Sequence, residues 1–165
     1  MLEGPSKYNL PVNDSARHSR ELSTLYKVSS VLGSNQPQEH LLTEVLEILN
    51  VELSLRNGVI ALLSEDGDEL AVEVVQELSL KKHRGIRYRM GEGITGRVIQ
   101  TGQGIIVPRV SEEPLFLNRF ERRQLPAEEI SFICVPIAFG QEVIGTISVD
   151  RLFEESAPLE EDMRV

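Results

Sequence analysis

Residues Gly91–Gly96 read GEGITG and fit the pattern G-x-G-x-x-G. How that stretch is read decides the fold, because the same letters form the turn that seats a pyrophosphate in a doubly wound α/β protein. The fingerprint has a mechanism only where a buried apolar strand enters it, a full helix leaves it and an acidic residue follows about 20 positions on. The entering segment, GIRYRM (85–90), alternates Ile86, Tyr88 and Met90 with Arg87 and Arg89. That is the pattern of a strand with one wet face, not of one buried on both. The helical stretch that follows, ITGRVIQT (94–101), is closed by Gly102 after about two turns, whereas a parallel crossover needs a dozen or more residues. Glu112 alone meets its condition, about 20 residues after Gly91. No G-x-x-x-x-G-K-[ST] loop is present either. What remains is a glycine turn feeding a short helix. Its glycines permit a tight crossing of the sheet, and free amides at the helix start, beside Arg97, can hold a carboxylate.

Outward from that turn, the rest of the chain supplies two helices and an antiparallel sheet. From Arg17 to Leu32, apolar residues recur at Leu22, Leu25, Tyr26, Val28, Val31 and Leu32 with helical spacing, and Gly33 stops the run. Its narrow stripe suits either a sheet or a copy of itself in a second chain. A second amphipathic run carries Leu41, Leu42, Val45, Leu46, Ile48, Leu49 and Leu53. Then the period changes: VIALLS and LAVEVVQEL flank EDGDE as a hairpin, GIIVP is a further strand, and SFICVPIAFG with QEVIGTISVDRLF closes the sheet around Gly140-Gln141. This order reads as α+β with a largely antiparallel sheet. Residues 1–16 are expected to be a flexible leader and 17–165 one domain, ending at the start of a cut-short helix after Pro158.

At 165 residues the chain is the size of one domain, 41% hydrophobic and 26% charged. It has no apolar run near the roughly 20 residues that span a bilayer, and its polar, proline-broken start lacks the order of an export signal. A cytoplasmic protein away from the membrane is expected. A single cysteine, Cys134, forms no internal disulfide, and His18, His40 and His83 make no ligand pair, so no metal is expected. The net charge of −9 argues against direct DNA contact. From Lys81 to Arg123, however, ten basic residues face four acidic ones, a local +6. That middle either pairs with the protein's own acids or serves an anionic ligand or acidic partner. Cys134 lies in the apolar strand Phe132-Ile133-Cys134-Val135, where a free cysteine behaves as a small hydrophobe. No G-x-S-x-G appears, so serine-nucleophile chemistry is not expected.

Taken together and in this order, MGEGITGRVIQTGQGIIVPRVSEEPLFLNRF and SFICVPIAFGQEVIGTISVDRLF resemble a GAF domain. More narrowly, they resemble the regulatory GAF domain of NifA-type nitrogen-fixation activators, which depend on sigma-54. The likeness runs from about Ser19 to the end; EPLFLNR and SFICVPI are its narrower signature. It implies a six-stranded antiparallel sheet with helices on its faces, acting as a sensory or docking module and not as a catalyst. In such regulators the domain controls a downstream ATPase domain and a DNA-binding domain, and neither is in this sequence. A NifL-type partner and a response to 2-oxoglutarate are the family's precedents. The resemblance places a pocket between the sheet and the irregular middle. On that basis Ile94, Thr95, Arg97, Phe116, Arg119 and Phe120 are its candidate ligand-binding residues, with the two arginines for a carboxylate. The sulfoxide reductases of the wider class work through several cysteines, and one thiol cannot both attack and resolve. The N-K-F-D-E set of cyclic-nucleotide binders is missing. The alternative is a ligand-free dimerisation module with a self-filled pocket, in which Leu22, Leu25, Val28 and Leu32 form the seam of a homodimer.

Overall fold

The computed structural model describes residues 12–76, 85–117, 119 and 130–152. Phe120 and the helix expected after Pro158 lie outside them. Helix α1 spans Val12–Leu32. It starts five residues before the expected Arg17, because nothing between Val12 and Gly33 breaks a helix. Thr24 is its one buried side chain among those described, and its hydroxyl donates to the Arg20 carbonyl at 2.8 Å. Helix α2, Gln38–Leu53, lies closer to the sheet and buries Val45 and Leu46. Ser54, at φ 58°, ends it in the left-handed conformation. The Ser54 amide donates to Asn50 O at 2.9 Å and the Leu55 amide reaches back to Leu49 O at 3.5 Å. The turn that satisfies these carbonyls also drives Leu55 into the core against Leu49.

Six strands follow: β1 (Arg56–Leu63), β2 (Glu69–Val75), β3 (Arg87–Arg89), β4 (Ile105–Val107), β5 (Ile130–Phe139) and β6 (Glu142–Leu152). A nine-residue helix α3, Gly93–Thr101, sits between β3 and β4. The sheet order is β3-β2-β1-β6-β5-β4, and every neighbouring pair is antiparallel. With no parallel pair in the sheet, the dinucleotide-binding reading of GEGITG fails. Within β3 the alternation holds, with Tyr88 buried between exposed Arg87 and Arg89, but Met90, expected on the same face as Tyr88, lies just past the strand and is exposed.

Each face of the sheet carries its own core. Under α2, Leu46 packs on Ile60 and Val74, while Leu55 packs on Ile133 and Val149. On the opposite face, Ile94 and Val98 of α3 meet Val107, Val110, Phe132 and Cys134, and Ile99 meets Ala61, Leu70 and Tyr88. Gln76 bolts α2 to the hairpin. Its side-chain carbonyl accepts from the Gly58 amide at 3.0 Å, and its amide nitrogen donates to Leu46 O at 3.5 Å. A second polar tie crosses from β1 to β6, where Asn57 Nδ2 donates to the buried Asp150 carboxylate at 2.8 Å.

Candidate functional site

The mouth of the α3 face is built by the glycine turn. A Cβ on Gly96 would stand 2.2 Å from the backbone carbonyl of Arg89, so α3 crosses β3 closer than any side chain permits. The approach is closed by the Gly91 amide donating to Gly96 O at 2.8 Å and by the Gly96 amide donating to Glu92 O at 2.9 Å. Gly93, at φ +60°, also takes a conformation that side chains rarely adopt, with Leu115 and Leu117 crowding it. The three glycines serve packing and turning, not a pyrophosphate.

Glu92 fastens this turn on two sides. One carboxylate oxygen accepts the Arg89 amide at 2.9 Å, and the other accepts a hydrogen bond from the Arg119 guanidinium. The guanidinium carbon also lies 5.1 Å from the centre of the Tyr88 ring. Arg119 is thus held between an aromatic face and a carboxylate, a geometry suited to its planar fork. Sequence reasoning named Arg119 but missed Glu92, which is 27 residues away and carries no local pattern.

The other candidate residues are dispersed by burial. Ile94 and Phe116 share one apolar cluster, and Phe116 meets Phe132 edge to face at 5.0 Å. Thr95 is buried and hydrogen-bonds with the Cys134 side chain, as does Thr146. Arg97 stands on the exposed side of α3, away from these contacts. Burial pushes the Cys134 thiol from 9.0 up to about 12, against the smaller opposing effect of the two threonine hydroxyls. The thiol is therefore protonated and inert at neutral pH. Among the described residues, no group of three or more His, Cys, Asp or Glu gathers to hold a metal, and no helix is long and apolar enough to cross a membrane.

The seam residues expected for a dimer lie on the other face. Leu22, Leu25 and Leu32 are 68%, 44% and 55% exposed, and Val28 is half-buried.

A curved antiparallel sheet with a short glycine-led helix on one face and a helix pair on the other defines an α+β domain. The chain belongs to the GAF domain family, whose sequence profile matches residues 37–165. It is similar to the Nif-specific regulatory protein of Azospirillum lipoferum, at 40% identity over 136 residues, which is 82% of this chain and 22% of that protein. It is also similar to the nitrogen fixation protein VnfA of Azotobacter vinelandii, at 34% identity over 146 residues, 87% of this chain and 28% of that one. The chain thus spans less than a third of the length of these curated relatives. Among solved structures it resembles the nlh2 GAF domain of A. aeolicus in an inactive state, with TM-score 0.79, 28% identity, and coverage of 89% of this chain and 88% of that one.

Proposed function

We propose that this chain is the regulatory domain of a nitrogen-fixation-type, sigma-54-dependent activator, acting in the cytoplasm on ATPase and DNA-binding domains of a longer protein. The observation that carries this reading is the 40% identity over 136 residues to a Nif-specific regulatory protein. The domain works by contact and not by bond chemistry. Its one thiol is buried and protonated, which supports that reading. The sensory step would use the Arg119–Glu92 pair. A carboxylate effector such as 2-oxoglutarate takes the guanidinium from Glu92, and Glu92 then loosens its hold on the Arg89 amide and the glycine crossing. A NifL-type protein would read the same loosening from outside.

Calorimetry with 2-oxoglutarate tests the sensory step. Binding to the wild type, weakened roughly tenfold or more in Arg119→Ala, is the expected result, given the worth of hydrogen bonds to a charged group. Absence of binding in both removes the effector.

A second reading, a homodimerisation module needing no effector, is favoured by the exposure of Leu22, Leu25 and Leu32 on one side of α1. Domain docking and dimerisation are compatible in one regulator.

A further inference from the structure

At one end of the sheet two hairpin turns stand side by side. Ile137, Gly145, Leu62 and Ala71 form one row across β5, β6, β1 and β2. Two residues beyond that row on β5 is Phe139, and two beyond it on β1 is Ser64, where the turn 65–68 begins. With strands about 4.8 Å apart in the order β2-β1-β6-β5, the centres of the two turns lie about 10 Å from each other. The β5–β6 turn presents bare apolar surface. Ile137 packs with Leu42 and Leu46 of α2, but Phe139, next on the same face of β5, is 81% exposed. Ile144, the bulged residue of β6, is exposed one step inward from it. The β1–β2 turn presents charge. Glu65, Asp66 and Asp68 are exposed, as are Glu142 at the tip of β6 and Glu39 in the first turn of α2. Among the described residues none of these five carboxylates pairs with a base. Arg87 and Arg89 of β3 are both held by Glu69, at 3.6 and 3.8 Å.

We infer that this end of the sheet docks a basic segment of another protein, with Phe139 seated in an apolar recess of that segment. A single exposed apolar side chain is ordinary on a protein surface. Here the ring stands at the apex of a two-residue turn, with an exposed isoleucine behind it and unpaired acids around it. That is the layout of an interface, in which an aromatic anchor is desolvated at the centre and charged groups form the rim. The sign of the charge selects the occupant. A second copy of this chain would bring the same acids against these, and nucleic acid would bring phosphates. Lysines and arginines of a protein segment bring the opposite sign, so the acids steer the segment in and the ring holds it. The inference does not depend on the carboxylate-sensing step.

The probe is a synthetic amphipathic peptide of lysine and leucine, titrated into the isotope-labelled chain and followed by NMR. Amide shifts should concentrate in residues 64–69 and 138–144. Phe139→Ser, which leaves the net charge unchanged, should weaken binding roughly fivefold or more. Asp66→Asn with Asp68→Asn should also weaken it, and should make it less sensitive to salt. A peptide of lysine and serine with the same charge should bind the wild type more weakly than the lysine and leucine peptide does. Equal affinities of the wild type and Phe139→Ser overturn the inference, as do equal affinities of the two peptides. So do shifts spread over other exposed acids such as Glu47 and Glu73, which would mark attraction by net charge alone.

Discussion

Gly96→Ala separates two reasons for a glycine in GEGITG. Gly96 does not have a positive φ, so on backbone grounds alone alanine inside α3 would stabilise the protein by about 1 kcal/mol through helix propensity. The structure assigns it to close approach. The added methyl carbon would lie 2.2 Å from the Arg89 carbonyl oxygen, against about 3.3 Å for an ordinary carbon–oxygen contact. The helix must therefore retreat by about 1 Å. What it would retreat from is backbone, which cannot rotate away as a side chain does. The move also stretches the 2.8 Å bond from the Gly91 amide to Gly96 O and pulls Ile94, Val98 and Ile99 out of register with the sheet. Overpacking of this kind costs about 1–3 kcal/mol, and the contact is severe enough to take the upper end. Subtracting the propensity gain leaves a net loss of about 2 kcal/mol. In a chain of this length, each kcal/mol moves the melting temperature by about 2–4 °C. Thermal unfolding followed by circular dichroism should thus show a fall of about 4–8 °C. An unchanged or higher melting temperature would refute the close-approach argument.

Gln76→Ala should destabilise by about 1–3 kcal/mol in urea unfolding, because it strands the Gly58 amide in the core and removes the tie to Leu46 O. At pH 8 a thiol raised from 9.0 to about 12 holds on the order of a thousandfold less thiolate, so Cys134 should react with a disulfide reagent far more slowly folded than in denaturant. The same raised value fixes the sign of its pH effect. The native state keeps the proton, so this contribution to stability is intact below 9.0 and lost as pH rises from there towards 12. Urea midpoints between pH 8 and 10.5 should fall more steeply for the wild type than for Cys134→Ala. For the dimer seam, sedimentation at several concentrations should show self-association abolished by Leu22→Asp with Leu25→Asp. A wild type that stays monomeric throughout removes the seam.

Local periodicity carried most of the fold. The arginine alternation in GIRYRM placed one buried residue, Tyr88, between two wet ones. The β-branched runs around Gly140-Gln141 gave the longest antiparallel pair, Ile130–Phe139 with Glu142–Leu152. The first helix was legible in its stripe but not in its start, since polar residues before Arg17 continue a helix without adding to an apolar pattern. The site was less legible because its contacts are long-range. Nothing near Glu92 announces Arg119, and nothing near Gln76 announces Leu46 and Gly58 together. Arg97 and Arg119 looked alike in the sequence. The exposed turn of α3 takes one out to solvent, while the Tyr88 ring and the Glu92 carboxylate hold the other.

The most direct test of the regulatory role is a graft. In the Azospirillum lipoferum protein, the 136 residues matched here would be replaced by the corresponding part of this chain, and transcription from a nif promoter compared with intact and domain-deleted versions. The account predicts that the graft controls transcription differently from the deletion, and that Glu92→Ala within it shifts the output. A graft indistinguishable from the deletion would contradict it.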